Sequence, residues 1–146
     1  MSDANTFVYE TSLEWSGEKN GKLMGSGVPG IPVGAPPEFH GREGSWSPEQ
    51  LLVGSVNTCL MLTFLTIAEN SKISLIKFTS AANGKLEKCA PGGYQVTEVI
   101  VKPRVVVSSP EDVRRVPRIL EKAKEGCFIS NSIKAIVKLE PEISQG

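Results

Sequence analysis

The segment that most constrains this chain lies between Leu51 and Ala68, where apolar residues occupy every side of a helical wheel and no charge interrupts them. Ser47-Pro48-Glu49-Gln50 precedes it and carries every signal of a helix start. Ser47 can cap, Pro48 suits the first helical position, Glu49 favours the positive end of the dipole, and Gln50 completes a capping box. The pattern predicts a helix from there to about Asn70. Its length and apolarity would also suit a membrane span. Gly54, Ser55, Asn57, Thr58, Thr63 and Thr66 argue against that, as do the strand patterns on either side. The expectation is a helix buried in a core or a dimer interface, with Gly54 and Ser55 allowing a close neighbour.

Around this helix the chain reads as strands. Phe7, Tyr9, Thr11, Leu13 and Trp15 alternate with Val8, Glu10, Ser12 and Glu14, the period of a strand with one face better buried. A hairpin loop at Gly17 to Gly21 leads to a strand over Lys22 to Val28 and a short one over Ile31 to Val33. Two longer strands follow the helix, Ile76 to Lys88 and Tyr94 to Val107, joined by a turn at Ala90-Pro91-Gly92-Gly93. Pro103 is expected to put the second near an edge or bulge. Ser109-Pro110-Glu111-Asp112 opens a helical stretch that Pro117 should interrupt, leaving a helix from about Pro117 to Glu125 that Gly126 stops. Ile133 to Leu139 supplies a last strand. The order gives an α+β fold, an antiparallel sheet with a long central buried helix and a second shorter helix, in a single domain over 1–146.

Composition narrows the function. Sixteen basic residues balance sixteen acidic ones, so no net field would hold a phosphate backbone or an anionic membrane, and neither nucleic acid nor membrane is an expected partner. Met1 to Glu10 lacks the basic flank and apolar run of a signal peptide, so the expected compartment is the cytoplasm. Three cysteines do not make the disulfide framework of a small secreted domain, and a single histidine argues against a Cys/His zinc site. Thiol chemistry or plain packing remains. A cysteine inside an apolar helix is ordinarily a small hydrophobe, but Cys59 has polar neighbours in Asn57 and Thr58, and Cys127 sits just past a helix stop, the kind of accessible position that a resolving thiol needs. Cys89 lies beside a Gly/Pro turn and reads as incidental. His40 reads as a surface or loop residue.

Trp46-Ser47-Pro48-Glu49-Gln50-Leu51-Leu52 followed by Cys59, and later Gly126-Cys127, resembles the OsmC/Ohr family, the osmotically inducible protein C and organic hydroperoxide resistance proteins. The strand and helix order from about Phe7 to Ile143 is similar to that fold. The resemblance implies a homodimeric thiol peroxidase that reduces organic hydroperoxides, and in some members hydrogen peroxide, with no metal or prosthetic group and an external dithiol or other thiol as reductant. Cys59 then matches the peroxidatic cysteine, Cys127 the resolving one, and Glu49 the family's acidic residue. Arg42, in the loop before the helix, is the candidate for its arginine. The chain departs from the pattern at Phe128, where proline is common.

These residue types suit the chemistry. The thiolate is the nucleophile, and a guanidinium nearby favours it. A carboxylate can hold that guanidinium through a bidentate pair. Ten helical residues at about 1.5 Å each separate Glu49 from Cys59 by roughly 15 Å along one straight helix, so one arginine cannot readily touch both. Two copies of the helix packed antiparallel would remove the conflict, which leads to an expectation of composite sites in a homodimer. Phe39, Trp46, Leu62 and Phe64 could line an apolar wall for alkyl hydroperoxides, although ordinary core packing is the better account of them. Two other readings are a binding protein of the same fold for an apolar small molecule, and a thiol hydrolase using His40, which lacks an orienting Asn or Asp.

Overall fold

A computed structural model describes residues 5–146. Contacts divide the chain into two compact units, residues 1–51 and 52–146, which are taken separately.

The first unit is a three-stranded antiparallel meander of β1 (Thr11–Gly17), β2 (Asn20–Gly25) and β3 (Val28–Gly34), in that spatial order. Each strand lies a few residues from its expected place, because the pairing follows the turns. Gly17 at φ 113° and Glu18 at φ 53° set the first, and Gly27 at φ 73° sets the second. Phe7 to Glu10 precede the paired residues. The expected buried face of β1 is absent: Leu13 and Trp15 are 68% and 79% exposed. After β3 a 3-10 turn over Pro37–Phe39 ends at His40, whose φ of 67° is left-handed. His40 is exposed, as expected of a loop residue. Trp46 returns beside β3, its N–H donating to Pro32 C=O at 2.9 Å while its C=O accepts from Gly34 N–H at 2.9 Å. The helix start then forms as its residues require. Gln50 N–H donates to Ser47 Oγ at 3.1 Å, and Ser47 N–H donates to Gln50 Oε1 at 3.0 Å, the reciprocal capping box.

Helix α1 runs Pro48–Asn70, as its pattern predicts. It is long and apolar enough to cross a membrane by length and composition. In the second unit one stripe of it, Val56, Leu60, Phe64 and Ala68, is buried, and Leu62 on another side is 54% exposed. Burial of α1 is therefore one-sided within the chain. That stripe packs with Val99, Val101, Val105 and Val107 of β5 and with Val116, Ile119, Leu120 and Ala123 of the second helix in one core cluster. Full burial of each such side chain contributes about 1.5–3 kcal/mol. Both helices therefore lie on the same face of the sheet.

That sheet holds β4 (Leu75–Cys89), β5 (Gly93–Val107), β6 (Ile136–Leu139) and β7 (Glu142–Gln145). β4 and β5 form a long antiparallel hairpin, but β6 and β7 run parallel to β5. The sheet is mixed rather than wholly antiparallel, and the strand after Pro141 was not expected. Pro103 lies in the central strand, buried, rather than at an edge. Val101 C=O accepts from Glu140 N–H, and Val107 C=O from Gly146 N–H, so alternate residues of β5 turn their backbone groups toward β6 and β7. Pro103 falls between Val101, the last residue paired with β6, and Arg104, the first paired with β7. Its missing N–H faces that gap and removes no ladder bond.

Helix α2 runs unbroken over Pro110–Gly126 with Pro117 inside it, which corrects the expected interruption. Pro117 is on the exposed side, where water can satisfy the carbonyl it orphans. The buried stripe and the start of the helix outweigh the proline's cost. Ser109 Oγ accepts from Asp112 N–H at 3.2 Å, and the buried Asp112 carboxylate accepts from Ser74 N–H at 3.0 Å and Arg115 at 3.2 Å. After Gly126 the chain passes through Cys127 into a 3-10 turn over Ser130–Ser132, so the last strands start later than the apolar alternation from Ile133 implies.

Candidate active site

Cys59 lies in the interior of α1, partly exposed, whereas Cys127, expected to be accessible past its helix stop, is fully buried at the C-terminal cap of α2, because that end of the helix closes against the core. Cys127 bears on the Cys59 thiol as a hydrogen-bonding group that lowers its pKa, although 67 residues lie between them in sequence. Their meeting follows from the shared core, since α1 and α2 lie on the same sheet face and Cys127 is where α2 ends. Both are free thiols. Cys89, at the end of β4, points its thiol toward Glu87 C=O at 3.6 Å.

Four groups lower the pKa of the Cys59 thiol. Burial by itself raises the thiol's pKa, but hydrogen bonds from the Ile129 backbone N–H, the Cys127 thiol, the Phe128 backbone N–H and the Thr63 hydroxyl outweigh it. The net effect holds the Cys59 pKa below its ordinary 9.0, because each donor stabilises the thiolate more than the thiol. Thr63 is one helical turn beyond Cys59, and its hydroxyl also donates to Cys59 C=O at 2.8 Å. With one proton to give, it serves the carbonyl or the sulfur at any moment. The last residue of α2 is near Thr63, as a Cβ added at Gly126 would lie in van der Waals contact, 3.7 Å from the Thr63 methyl. Nearby, Asn57 fixes α1 to β4: Ser80 Oγ donates to Asn57 Oδ1 at 2.6 Å, and Asn57 Nδ2 donates to Ser80 C=O at 3.2 Å.

The site residues expected from the sequence are only partly brought together. Cys59 and Cys127 meet. Arg42 is exposed on its loop and, among the described residues, makes no ion pair with Glu49. Glu49 is in the first turn of α1, and its Oε1 is buried without a hydrogen-bond partner among the described residues. An orphaned carboxylate oxygen of this kind is costly unless something else supplies a donor. Among the expected wall residues, Phe64 is in the core, its ring 5.3 Å from that of Phe78, whereas Phe39, Trp46 and Leu62 are 39–54% exposed. Thr63 was missed by sequence reasoning, although its position four residues after Cys59 signals a hydroxyl on the same helical face. The amides of Phe128 and Ile129 leave no side-chain signal. Among the described residues no group of three or more His, Cys, Asp or Glu could hold a metal ion.

Comparison with known proteins gives one consistent picture. The family described as OsmC-like protein matches residues 41–142. Peroxiredoxin OsmC of Escherichia coli (strain K12) is 26% identical over 134 residues, covering 88% of this chain and 92% of that protein. Protein YmaD of Bacillus subtilis (strain 168), described as uncharacterized, is 26% identical over 148 residues, covering 99% of this chain and 96% of its own. Among solved structures, an OsmC-like protein of unknown function from Vibrio cholerae has a TM-score of 0.86 at 25% identity, covering 93% of this chain and 99% of that one.

Proposed function

The chain belongs to the OsmC-like protein family, and from that premise we propose that it is a thiol peroxidase that reduces organic hydroperoxides through Cys59 and Cys127. The observation that carries the reading is the apposition of the two thiols, with Cys59 held toward its thiolate.

In the cycle, the Cys59 thiolate attacks one oxygen of the O–O bond, which breaks. The sulfur becomes a sulfenic acid, and the alkoxide leaves as an alcohol after taking a proton. The Cys127 thiol then condenses with the sulfenic acid, releasing water and forming a Cys59–Cys127 disulfide. A dithiol reduces that disulfide by exchange and is itself oxidised. No metal or organic cofactor enters these steps. The expected setting is the cytoplasm, where such reductants are kept supplied.

We place the working site in a homodimer. Glu49 Oε1, buried and without a hydrogen-bond partner among the described residues, is suited to receive a guanidinium, and Arg42 of a second copy is our candidate donor. The open sides of α1, including the exposed Leu62, are suited to the same partner. A chain that is monomeric at micromolar concentration would overturn this assembly.

One equivalent of an alkyl hydroperoxide added to the reduced protein should give a Cys59–Cys127 disulfide by mass spectrometry. Cys127→Ser should complete one turnover and then stall or over-oxidise. If Cys59→Ser consumes hydroperoxide as fast as wild type, the proposal is wrong. A second reading, retention of an apolar small molecule with little turnover, draws on a cleft of about 310 Å3 whose walls include Leu13, Trp15, Val33, Ala35 and Pro48. Native mass spectrometry showing a retained ligand, together with slow peroxide consumption, would favour it.

A further inference from the structure

The two cysteines of the proposed couple differ in what can reach them. Cys59 is partly exposed, whereas Cys127 is 0% exposed and sits with Leu120 and Ala123 at the buried side of α2. The backbone around Cys127 is tied on both sides. Its N–H donates to Lys124 C=O at 3.4 Å, and its C=O accepts from Asn131 N–H at 3.1 Å. The segment that follows is closed as well. Asn131 Nδ2 donates to Glu125 C=O at 3.0 Å, Ser132 Oγ donates to Phe128 C=O at 2.6 Å, and Ser132 N–H donates to Ile129 C=O at 2.9 Å. Bringing the Cys127 sulfur to solvent means opening this segment as a unit, together with its packing on the core. Cys59 needs no such opening.

We propose that the reducing dithiol attacks the Cys59–Cys127 disulfide at the Cys59 sulfur, with Cys127 as the leaving thiol. Which sulfur of a disulfide is attacked depends on access as well as on the thiols themselves. The attacking sulfur must reach the far side of the atom it bonds, and at Cys127 that side is enclosed by the core. One thiolate of the reductant bonds the Cys59 sulfur and the Cys59–Cys127 bond breaks, its electron pair leaving on Cys127, which takes a proton. The second thiolate of the reductant then bonds the first sulfur of the same molecule. That step releases Cys59 as a thiolate, and two electrons have passed from the dithiol to the protein. Cys59 is thereby the sulfur that meets oxidant and reductant alike, through one opening. The existence of the disulfide rests on the function proposed above. The difference in access between the two thiols does not.

The test oxidises the wild-type protein with diamide, so that its outcome does not depend on hydroperoxide being a substrate. Excess cysteamine is then added, the exchange is stopped with acid at short times, and the freed thiol is alkylated after denaturation. Mass spectrometry locates both labels. Cysteamine should sit on Cys59 and the alkyl group on Cys127, in roughly tenfold excess over the reverse arrangement. Cysteamine on Cys127, or an even split, would overturn the proposal.

A second measurement needs no disulfide in the protein. In a Cys89→Ser background, the Cys59→Ser and Cys127→Ser variants each keep one thiol of the couple, and its reaction with 4,4′-dithiodipyridine is timed in folded and urea-unfolded protein. Folding should slow Cys127 by roughly a hundredfold or more, because its reaction waits on local opening, and should slow Cys59 far less. Equal protection of the two thiols would also overturn the proposal. Hydroperoxide consumption is measured separately. If the labels fall as expected and no hydroperoxide is reduced, the peroxidase reading fails and the direction of exchange stands. If hydroperoxide is reduced through the disulfide and cysteamine is found on Cys127, the reverse holds. Failure of both diamide and hydroperoxide to join Cys59 to Cys127 would overturn the two together.

Discussion

At Gly84 β4 packs closely against Val53 of α1, and substituting it should produce an effect whose sign depends on one methyl group. A Cβ built at Gly84 would lie 2.3 Å from Val53 Cγ2, while its next neighbours, Val53 Cβ and Val96 Cγ1, are at 3.7 and 3.8 Å. The overlap is thus with a single γ-methyl, far inside the optimum of about 3.5–4.0 Å for carbon contacts. Val53 is β-branched in a helix and nearly locked at χ1, so it cannot swing aside, and the strain must move α1 or β4. Overpacking of this kind costs about 1–3 kcal/mol. Replacing Gly by Ala at an ordinary backbone conformation returns about 0.4–1 kcal/mol through the unfolded chain. Gly84→Ala should therefore destabilise by about 0.5–2 kcal/mol. In a Val53→Ala background the offending methyl is gone, and the same substitution should stabilise by about 0.4–1 kcal/mol. Urea unfolding of the reduced proteins at one fixed protomer concentration measures all four corners of the cycle. If Gly84→Ala costs the same in both backgrounds, the contact does not set the spacing of helix and sheet.

Thr63→Val keeps the shape of the side chain and removes its hydroxyl, so the Cys59 pKa should rise and alkylation at neutral pH should slow a few-fold, with Thr63→Ser close to wild type. Because the folded-state pKa of Cys59 is depressed, the stabilisation it brings is fully present above the ordinary value of 9.0 and is lost as pH falls through the folded value. Denaturant midpoints of the reduced protein should accordingly rise with pH across that interval, and Cys59→Ser should abolish this part of the dependence. Pro117→Ala should stabilise α2 by about 1–3 kcal/mol in thermal or urea unfolding, since it restores an intrahelical hydrogen bond on the exposed side; a loss of stability would mean that the proline shapes the helix in a way the core requires.

The helix start at Ser47 was readable because all its signals are local, and the structure forms the capping box those residues specify. Proline readings failed where tertiary context outweighs local propensity. Pro117 stays helical because its side of α2 faces water while Val116, Ile119 and Leu120 hold the other. Pro103 stays central because two short strands leave a gap beside it. The parallel direction of β6 and β7 is invisible to alternation, which reports faces and not partners. At the site, the residue types of Cys59 and Cys127 were legible, but their apposition was not, because it depends on both helices sharing one sheet face. Donors from the backbone of Phe128 and Ile129 are beyond any reading of side-chain types.

The path from β5 through α2 to β6 joins two strands that run in the same direction. Cys127 lies on the return leg of this crossover, so its position depends on a strand pairing made across a long stretch of intervening chain. Non-local pairings of this sort close late, after the loop entropy has been met. Cys59 belongs to a helix specified by its own neighbourhood. During synthesis the chain therefore presents Cys59 before Cys127 has a place to stand, and the two-cysteine site proposed above is completed only when that crossover closes.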